Sequence, residues 1–220
     1  QWDFGGLLPY TRAFAWGVVV TIELTLLSSA IGTLCGVPLA VALRGSPLVA
    51  RPLAFLIDVI RAVPTLVLIF FFYYFPYRDV LGVSPPSGFA AVLLTLVVAQ
   101  ACYTADLIRA TIDQVPRAQI LGVDGIGFKP HQVVRYVVVP SVVRQALPGH
   151  IALWIGNLKL SSLASVIGVP DVVFVAKIAM SQSFRSLEAW TVVAAIYAAL
   201  VLPLTYGLRA LERSNWIKRQ

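Results

Sequence analysis

Five long apolar stretches fill most of this 220-residue chain: Phe14–Leu43, Leu53–Phe75, Gly88–Ala105, Gln145–Pro170 and Ala189–Leu208. Roughly 20 helical residues are needed to cross the hydrocarbon core of a bilayer. The first stretch carries only Glu23 as a formal charge, the second Asp58 and Arg61, the fourth Lys159, and the third and fifth none. Lipid offers the backbone no hydrogen-bond partner, so each stretch must satisfy its own N–H and C=O groups and is expected to be helical. A soluble bundle would show polar faces at a 3.6-residue period, and these stretches show none. The chain reads as an all-α, polytopic membrane protein, with residues 1–220 forming a single membrane domain.

Composition agrees, with 59% hydrophobic and 12% charged residues. The net charge of +7 does not point to nucleic acid, because its distribution follows the membrane. The segments after the first and third spans, with the tail, hold eleven basic residues: Arg44, Arg51, Arg109, Arg117, Lys129, Arg135, Arg144, Arg209, Arg213, Lys218 and Arg219. The opposite side holds four: Arg12, Arg78, Lys177 and Arg185. That bias predicts an external N-terminus and a cytoplasmic C-terminus. Cys35 and Cys102 lie in apolar spans and have no metal-ligand or disulfide spacing.

Residues 106–147 form a cytoplasmic loop that is neither apolar enough to cross nor polar enough to be disordered. Asp106 and Arg109 stand at i, i+3 on an expected extension of the third span, close enough to pair. Pro116 interrupts that helix, and Gly122, Gly125 and Gly127 supply a turn between short helical pieces. Pro140 and Pro148 are expected to break the chain again before it re-enters the membrane. A long ordered loop of this kind is commonly functional, and its repeated Val and Ile favour a docking surface over a solvated linker.

At this loop the chain resembles the permease subunits of ABC importers, in the branch that carries polar amino acids. Val115-Pro116 matches the opening of the family's coupling motif, Gly127 its glycine, and Val139-Pro140 its downstream Leu-Pro. Leu121 stands where the family has glutamate, and Gly122 and Val123 where it has two alanines. Other matches occur in order. Val20 to Thr25 resembles the start of the first core helix, and Arg61-Ala62-Val63-Pro64 the family's Arg-Gly-Thr-Pro. Tyr103 to Asp106 with Arg109 resembles its Tyr-x-Ala-Glu and Arg. Leu158-Lys159 with Ser161-Ser162-Leu163, then Ser165 to Gly168, resembles its Leu-Lys-Asp-Ser-Ser-Leu and Ser-Val-Ile-Gly, with Leu160 replacing the acidic residue.

The resemblance implies a type I importer fold with five transmembrane helices and cytoplasmic coupling helices in a bacterial inner membrane. It implies docking to an ABC ATPase dimer through Gln119, Leu121, Gly122, Asp124, Gly127, Arg135 and Pro140. It also implies an extracytoplasmic substrate-binding protein and a second permease subunit completing the pathway. The missing glutamate at Leu121 favours a heterodimer, with a homodimer remaining open. No cofactor is expected in this chain; ATP and Mg2+ belong to the partner ATPase.

Ionisable groups inside a membrane are costly and mark functional candidates. Lys159, among Asn157, Ser161, Ser162 and Ser165, offers a cation and hydroxyls to an amino-acid substrate; the other reading is a snorkelling lysine beside small, close-packing serines. Glu23 is either a ligand for a substrate ammonium or a structural carboxyl. Asp58 and Arg61, at i, i+3, are expected to form a structural pair, with Pro64 kinking the helix just beyond. Val169-Pro170-Asp171 announces a short external helix over Val172–Ala179.

No catalytic constellation and no metal site stand out. Gly122 to Gly127 has P-loop spacing but continues Phe128-Lys129-Pro130, so the chain is not expected to hydrolyse ATP. Two other classes compete: a small secondary transporter or channel subunit uncoupled from ATP, and a membrane enzyme. Five spans without an inverted repeat weigh against the first, and the lack of clustered acids, histidines or nucleophiles against the second.

Overall fold

The computed structural model describes residues 3–116, 118 and 128–213. Among these every regular element is helical. A 3-10 helix at Phe4–Tyr10 leads into α1 (Thr11–Ala42), followed by α2 (Pro47–Ala62), α3 (Thr65–Tyr74), the short α4 (Tyr77–Leu81) and α5 (Gly88–Asp113). Then come α6 (Pro130–Ile167), α7 (Val172–Ser183) and α8 (Ser186–Arg213).

Four continuous helical runs are long and apolar enough to cross a membrane: Phe4–Ala42, α5, α6 and α8. The fifth expected span is α2 and α3 together, and they meet at an angle of 102°. The expected kink at Pro64 is therefore a break. Val63, forced out of the helical region by the following proline ring, is extended at φ −80°, ψ 129°, and Pro64 itself sits at φ −55°, ψ 135°. Two consecutive non-helical residues redirect the chain where one missing hydrogen bond would only have bent it.

The expected loop over 106–147 is helical at both ends. α5 continues to Asp113, and α6 begins at Pro130 rather than at Gln145. Pro140 and Pro148 do not break the chain. Residues Val134–Val138 widen into a π turn in which the Val139 N–H reaches the Val134 carbonyl. This wider turn makes room for the Pro140 ring, which would otherwise strike the carbonyl four residues back. Pro148 is carried within the same helix, as are Pro38 in α1 and Pro203 in α8. The turn over Gln119, Leu121, Gly122, Asp124 and Gly127 lies outside the described residues.

α1 is the spine. Three clusters of buried side chains succeed one another along it: Phe14 with Leu7, Val172, Val175 and Ala189; Val20 and Leu24 with Ile69, Val92, Leu96 and Val169; and Ala40 and Leu43 with Ile57, Cys102 and Ala105. Burial against lipid and burial against a helix are nearly equivalent for an apolar side chain, so close packing must hold the helices together. Gly32 and Gly36 provide it. A Cβ on Gly32 would lie 2.5 Å from Gln100 Cβ, and one on Gly36 would lie 2.5 Å from Thr104 Cβ. The backbones of α1 and α5 meet only because these side chains are absent. α8, by contrast, buries only Ala189 and Val193 and leaves Leu202, Leu204 and Tyr206 outward.

This packing makes a testable distinction between glycines. Gly36→Leu is expected to lower stability by ~1–3 kcal/mol, the usual cost of overpacking. Gly207→Ala in α8, where an added Cβ meets nothing within 4 Å, is expected to be neutral or stabilising by ~0.5–1 kcal/mol. Thermal unfolding of the detergent-purified variants checks this; equal melting behaviour would remove the α1–α5 contact from its central role.

Candidate functional site

The polar residues of the fourth span start close together in sequence and end on different faces. At Ser161 the α6 helix tightens into a 3-10 turn over Ser161–Ile167, which ends at Gly168 in the left-handed conformation at φ 82°. Serine hydroxyls take up carbonyls of the preceding turn: Ser161 Oγ donates to Leu158 O and Ser162 Oγ to Lys159 O, both at 2.7 Å.

Asn157 points into the bundle and is buried. Its side-chain amide donates to Ser28 Oγ at 2.8 Å and to Ser29 Oγ at 3.1 Å, clamping α6 to α1. Three residues earlier in the same helix, Trp154 Nε1 donates to Thr33 Oγ1 at 3.2 Å. Both side chains thus act as interhelical fasteners. Ser165, also buried, receives Lys177 Nζ from α7 at 3.1 Å, so its cationic neighbour is Lys177.

Lys159 is exposed and lines a groove of about 430 Å³ with Ser162, Val173, Val193, Tyr197 and Leu202, between α6, α7 and α8. Glu23 is exposed too, but it lines a separate groove of about 440 Å³ with Trp16, Tyr73, Phe89, Gly168 and Pro170. The two ionisable candidates within the long spans therefore do not converge in one chain. Each groove has a volume suited to a small metabolite. A third hollow of about 450 Å³ between α1, α6 and α8, lined by Leu26, Trp154, Leu200 and Leu204, is almost wholly apolar.

The expected ion pairs are exchanged. Arg61 bonds Asp106 across helices, with Nη1 2.7 Å from Oδ2, and its guanidinium lies 5.2 Å from the centroid of the Tyr103 ring. The pairings Asp58–Arg61 and Asp106–Arg109 do not form; Asp58 and Arg109 lie on exposed faces of their helices, without an ion-pair partner among the described residues. The physical reason is reach: Arg61 ends α2 alongside α5, where a partner on the neighbouring helix also provides an aromatic face. At the same end of the bundle Arg44 Nη1 meets Asp113 Oδ1 at 2.5 Å, joining the end of α1 to that of α5.

Of the expected docking residues, Arg135 and Pro140 are described. Arg135 is exposed in the π turn, with its guanidinium 5.7 Å from the Tyr136 ring centroid. Sequence reasoning missed Ser28, Ser29 and Tyr197, and had Tyr103 only as a motif residue without its contact to Arg61. A signal existed for the serines: Thr21, Thr25, Ser28, Ser29, Gly32 and Gly36 recur at three- and four-residue spacing and mark a small, polar stripe along one face of α1.

Residues 29–216 match the family described as "Binding-protein-dependent transport system inner membrane component". The chain is 28% identical over 217 residues to the glutamine transport system permease protein GlnP of Escherichia coli (strain K12), covering 97% of each. It is 30% identical over 186 residues to the probable amino-acid ABC transporter permease protein YckA of Bacillus subtilis (strain 168), covering 84% of this chain and 80% of that one. Among solved structures, a chain from "an amino acid ABC transporter with histidines" superposes with a TM-score of 0.88 at 31% identity, covering 97% of this chain and 99% of that chain. A chain from the MetNI methionine ABC transporter shares the fold, with a TM-score of 0.75 at 20% identity. This chain belongs to the binding-protein-dependent transport system inner membrane component family: it is a multi-pass inner-membrane permease subunit of an ABC importer.

Proposed function

We propose that the chain forms half of the translocation pathway for a polar amino acid or a closely related zwitterion. The relatives and the structural neighbour named for glutamine and amino-acid transport support this substrate class. The observation in this chain that carries it is the Lys159 groove. An ammonium group and the Ser162 and Tyr197 side chains line a recess of about 430 Å³ whose remaining wall is aliphatic. A substrate carboxylate needs a cation or N–H donors, and Lys159 supplies the cation. Family membership displaces the gradient-driven alternative.

The energy source lies outside this chain, in an ATPase dimer that binds ATP and Mg2+. The turn through Leu121 and Gly127 docks to it, with Arg135 and Pro140 at the root of α6. The basic bias supports a cytoplasmic position for this end and an external one for the Phe4–Tyr10 helix and α7, where a substrate-binding protein would deliver its load. A second permease subunit, different in sequence and retaining the docking glutamate, completes the pathway. ATP binding closes the ATPase pair and moves the docking turn as a lever, opening the central path outward. The turn must contact the two ATPase states unequally, because a contact of equal strength shifts no equilibrium.

Two substitutions separate the parts of this reading. Lys159→Ala is expected to reduce uptake at limiting substrate by ~10-fold or more, the scale of a lost charge-assisted hydrogen bond, while basal ATP hydrolysis by the partner stays intact. Unchanged uptake kinetics in reconstituted vesicles would return Lys159 to a structural role. Gly127→Val is expected to insert and assemble, yet to lose the stimulation of ATP hydrolysis by loaded binding protein, because a β-branched residue would obstruct the turn if φ is positive there. Normal stimulation and uptake would remove the docking turn from the mechanism.

A further inference from the structure

Between α1, α7 and α8 lie three buried oxygens without a hydrogen-bond partner among the described residues: Thr21 Oγ1, Asp171 Oδ2 and Tyr197 Oη. Thr21 and Asp171 have no solvent exposure at all. The Tyr197 hydroxyl feels the Asp171 carboxyl and is ringed by the hydroxyls of Thr21, Ser161 and Ser162. The chain approaches closely here too: a Cβ on Gly17, one turn before Thr21, would lie 3.0 Å from the Asp171 backbone. Asp171 is the N-cap of α7, where its Oδ1 accepts the Phe174 N–H at 2.7 Å. One carboxyl oxygen is therefore committed to the helix cap, and the other faces the interior.

We propose that Asp171, Thr21 and Tyr197 enclose a buried proton-binding site, in which the protonated carboxyl keeps α7 seated against α1 and α8 and loss of the proton loosens it. Oδ2 has no hydrogen-bond partner among the described residues, so hydrogen bonding at that oxygen does not choose the state. Desolvation does, because an ionised carboxylate gives up its water here with no partner at Oδ2 to replace it. Burial pushes the Asp171 carboxyl up to about 7, against the opposing pull of the Phe174 amide and of Lys177. Lys177, on α7 itself, directs its ammonium to Ser165 on the 3-10 turn and makes no ion pair with Asp171 among the described residues. Of the other ionisable groups on the packed elements, Glu23 of α1 opens onto a groove that reaches Val169 and Pro170, Lys159 of α6 onto the groove it shares with Val173 and Tyr197, and Glu188 of α8 is exposed and accepts the Asp3 N–H.

The sign follows from the raised value. An unfolded aspartate titrates near ~3.9, below the seated value. The stabilisation of the seat is complete below about pH 4, declines as pH rises, and is lost above about pH 7. The proposal does not depend on the substrate class.

Infrared difference spectroscopy of the purified transporter across pH about 7 tests it. A protonated-carboxyl C=O band is expected to titrate to half intensity near pH 7, to vanish in Asp171→Asn and to survive in Glu23→Gln. A spin label at Ile178 on α7, in a Cys35→Ala, Cys102→Ala background, is expected to gain mobility as pH rises through the same range, but not with Asp171→Asn added. No such band in the unsubstituted protein, a band lost with Glu23→Gln instead, or a label indifferent to pH would each overturn the proposal. Because the first titration uses the unsubstituted protein, the test survives a variant that fails to fold.

Discussion

The closeness of α1 and α5 is the constraint on which the rest of the bundle depends. In water, burying leucines would draw two such helices together; in lipid, a leucine gains little by exchanging acyl chains for a neighbouring helix. What remains is dispersion between surfaces that fit, and its strength falls steeply with distance. Gly32 and Gly36 remove the side chains that would hold the helices apart, and Gln100 and Thr104 fill the space at Cβ distance. Once α1 is fixed, each further element is attached to it by a different device. Asn157 and Trp154 bond α6 to Ser28, Ser29 and Thr33. The Asp171 backbone lies against Gly17 and brings α7 in, while Ile69 packs α3 beside Val20 and Leu24.

The attachment is uneven, and that unevenness bears on transport. α2 and α3 each bury a single side chain, Ile57 and Ile69. Between them lies the break at Val63–Pro64, and just before it the Arg61–Asp106 bridge ties the end of α2 to α5. That bridge is partly exposed, so solvent moderates its strength. A closely packed α1–α5 pair thus stands beside an α2–α3 pair broken at Val63–Pro64, and the motion proposed above would be borne more easily by the second. Rotation at Pro64 disturbs few packed contacts, whereas separation of α1 from α5 disturbs many.

Much of this was legible in the residues. The apolar stretches located the helices because lipid permits the backbone almost no other structure. Asp171 announced α7 because an N-cap acts through its own neighbouring amides. Features that depended on partners distant in sequence were harder to read. Arg61 has Asp58 nearby on its own helix and Asp106 across the bundle, and spacing alone cannot rank them. Pro140 looked like a breaker because a π turn at Val134–Val138 is not encoded by any single residue type. The cluster from Asn157 to Ser165 looked like one site because its members are close in sequence, yet neighbours in sequence need not share a face: Asn157 and Lys159, two residues apart on the α-helix, point about 200° apart. The 3-10 segment advances each residue by about 120° rather than about 100°, which carries Ser161, Ser162 and Ser165 away from the faces an α-helix would give them.

Lys159 and Glu23, both exposed on long spans, say most about what surrounds this subunit. A charged lysine at the middle of a helix in lipid costs about 2.5–3.5 kcal/mol, and a bilayer-facing position for Lys159 or Glu23 would bear that cost without return. Each instead lines a groove, and the two grooves share no lining residue. The nearly apolar hollow between α1, α6 and α8, with Leu202, Leu204 and Tyr206 exposed on α8, has the character of a lipid-facing surface. The faces bearing Lys159 and Glu23 need water or protein. A chain with two such faces and no convergence between them cannot enclose a polar path alone. A second subunit meeting one face while substrate passes the other would satisfy both charges, and this requirement supports the two-subunit pathway proposed above without any appeal to the docking turn.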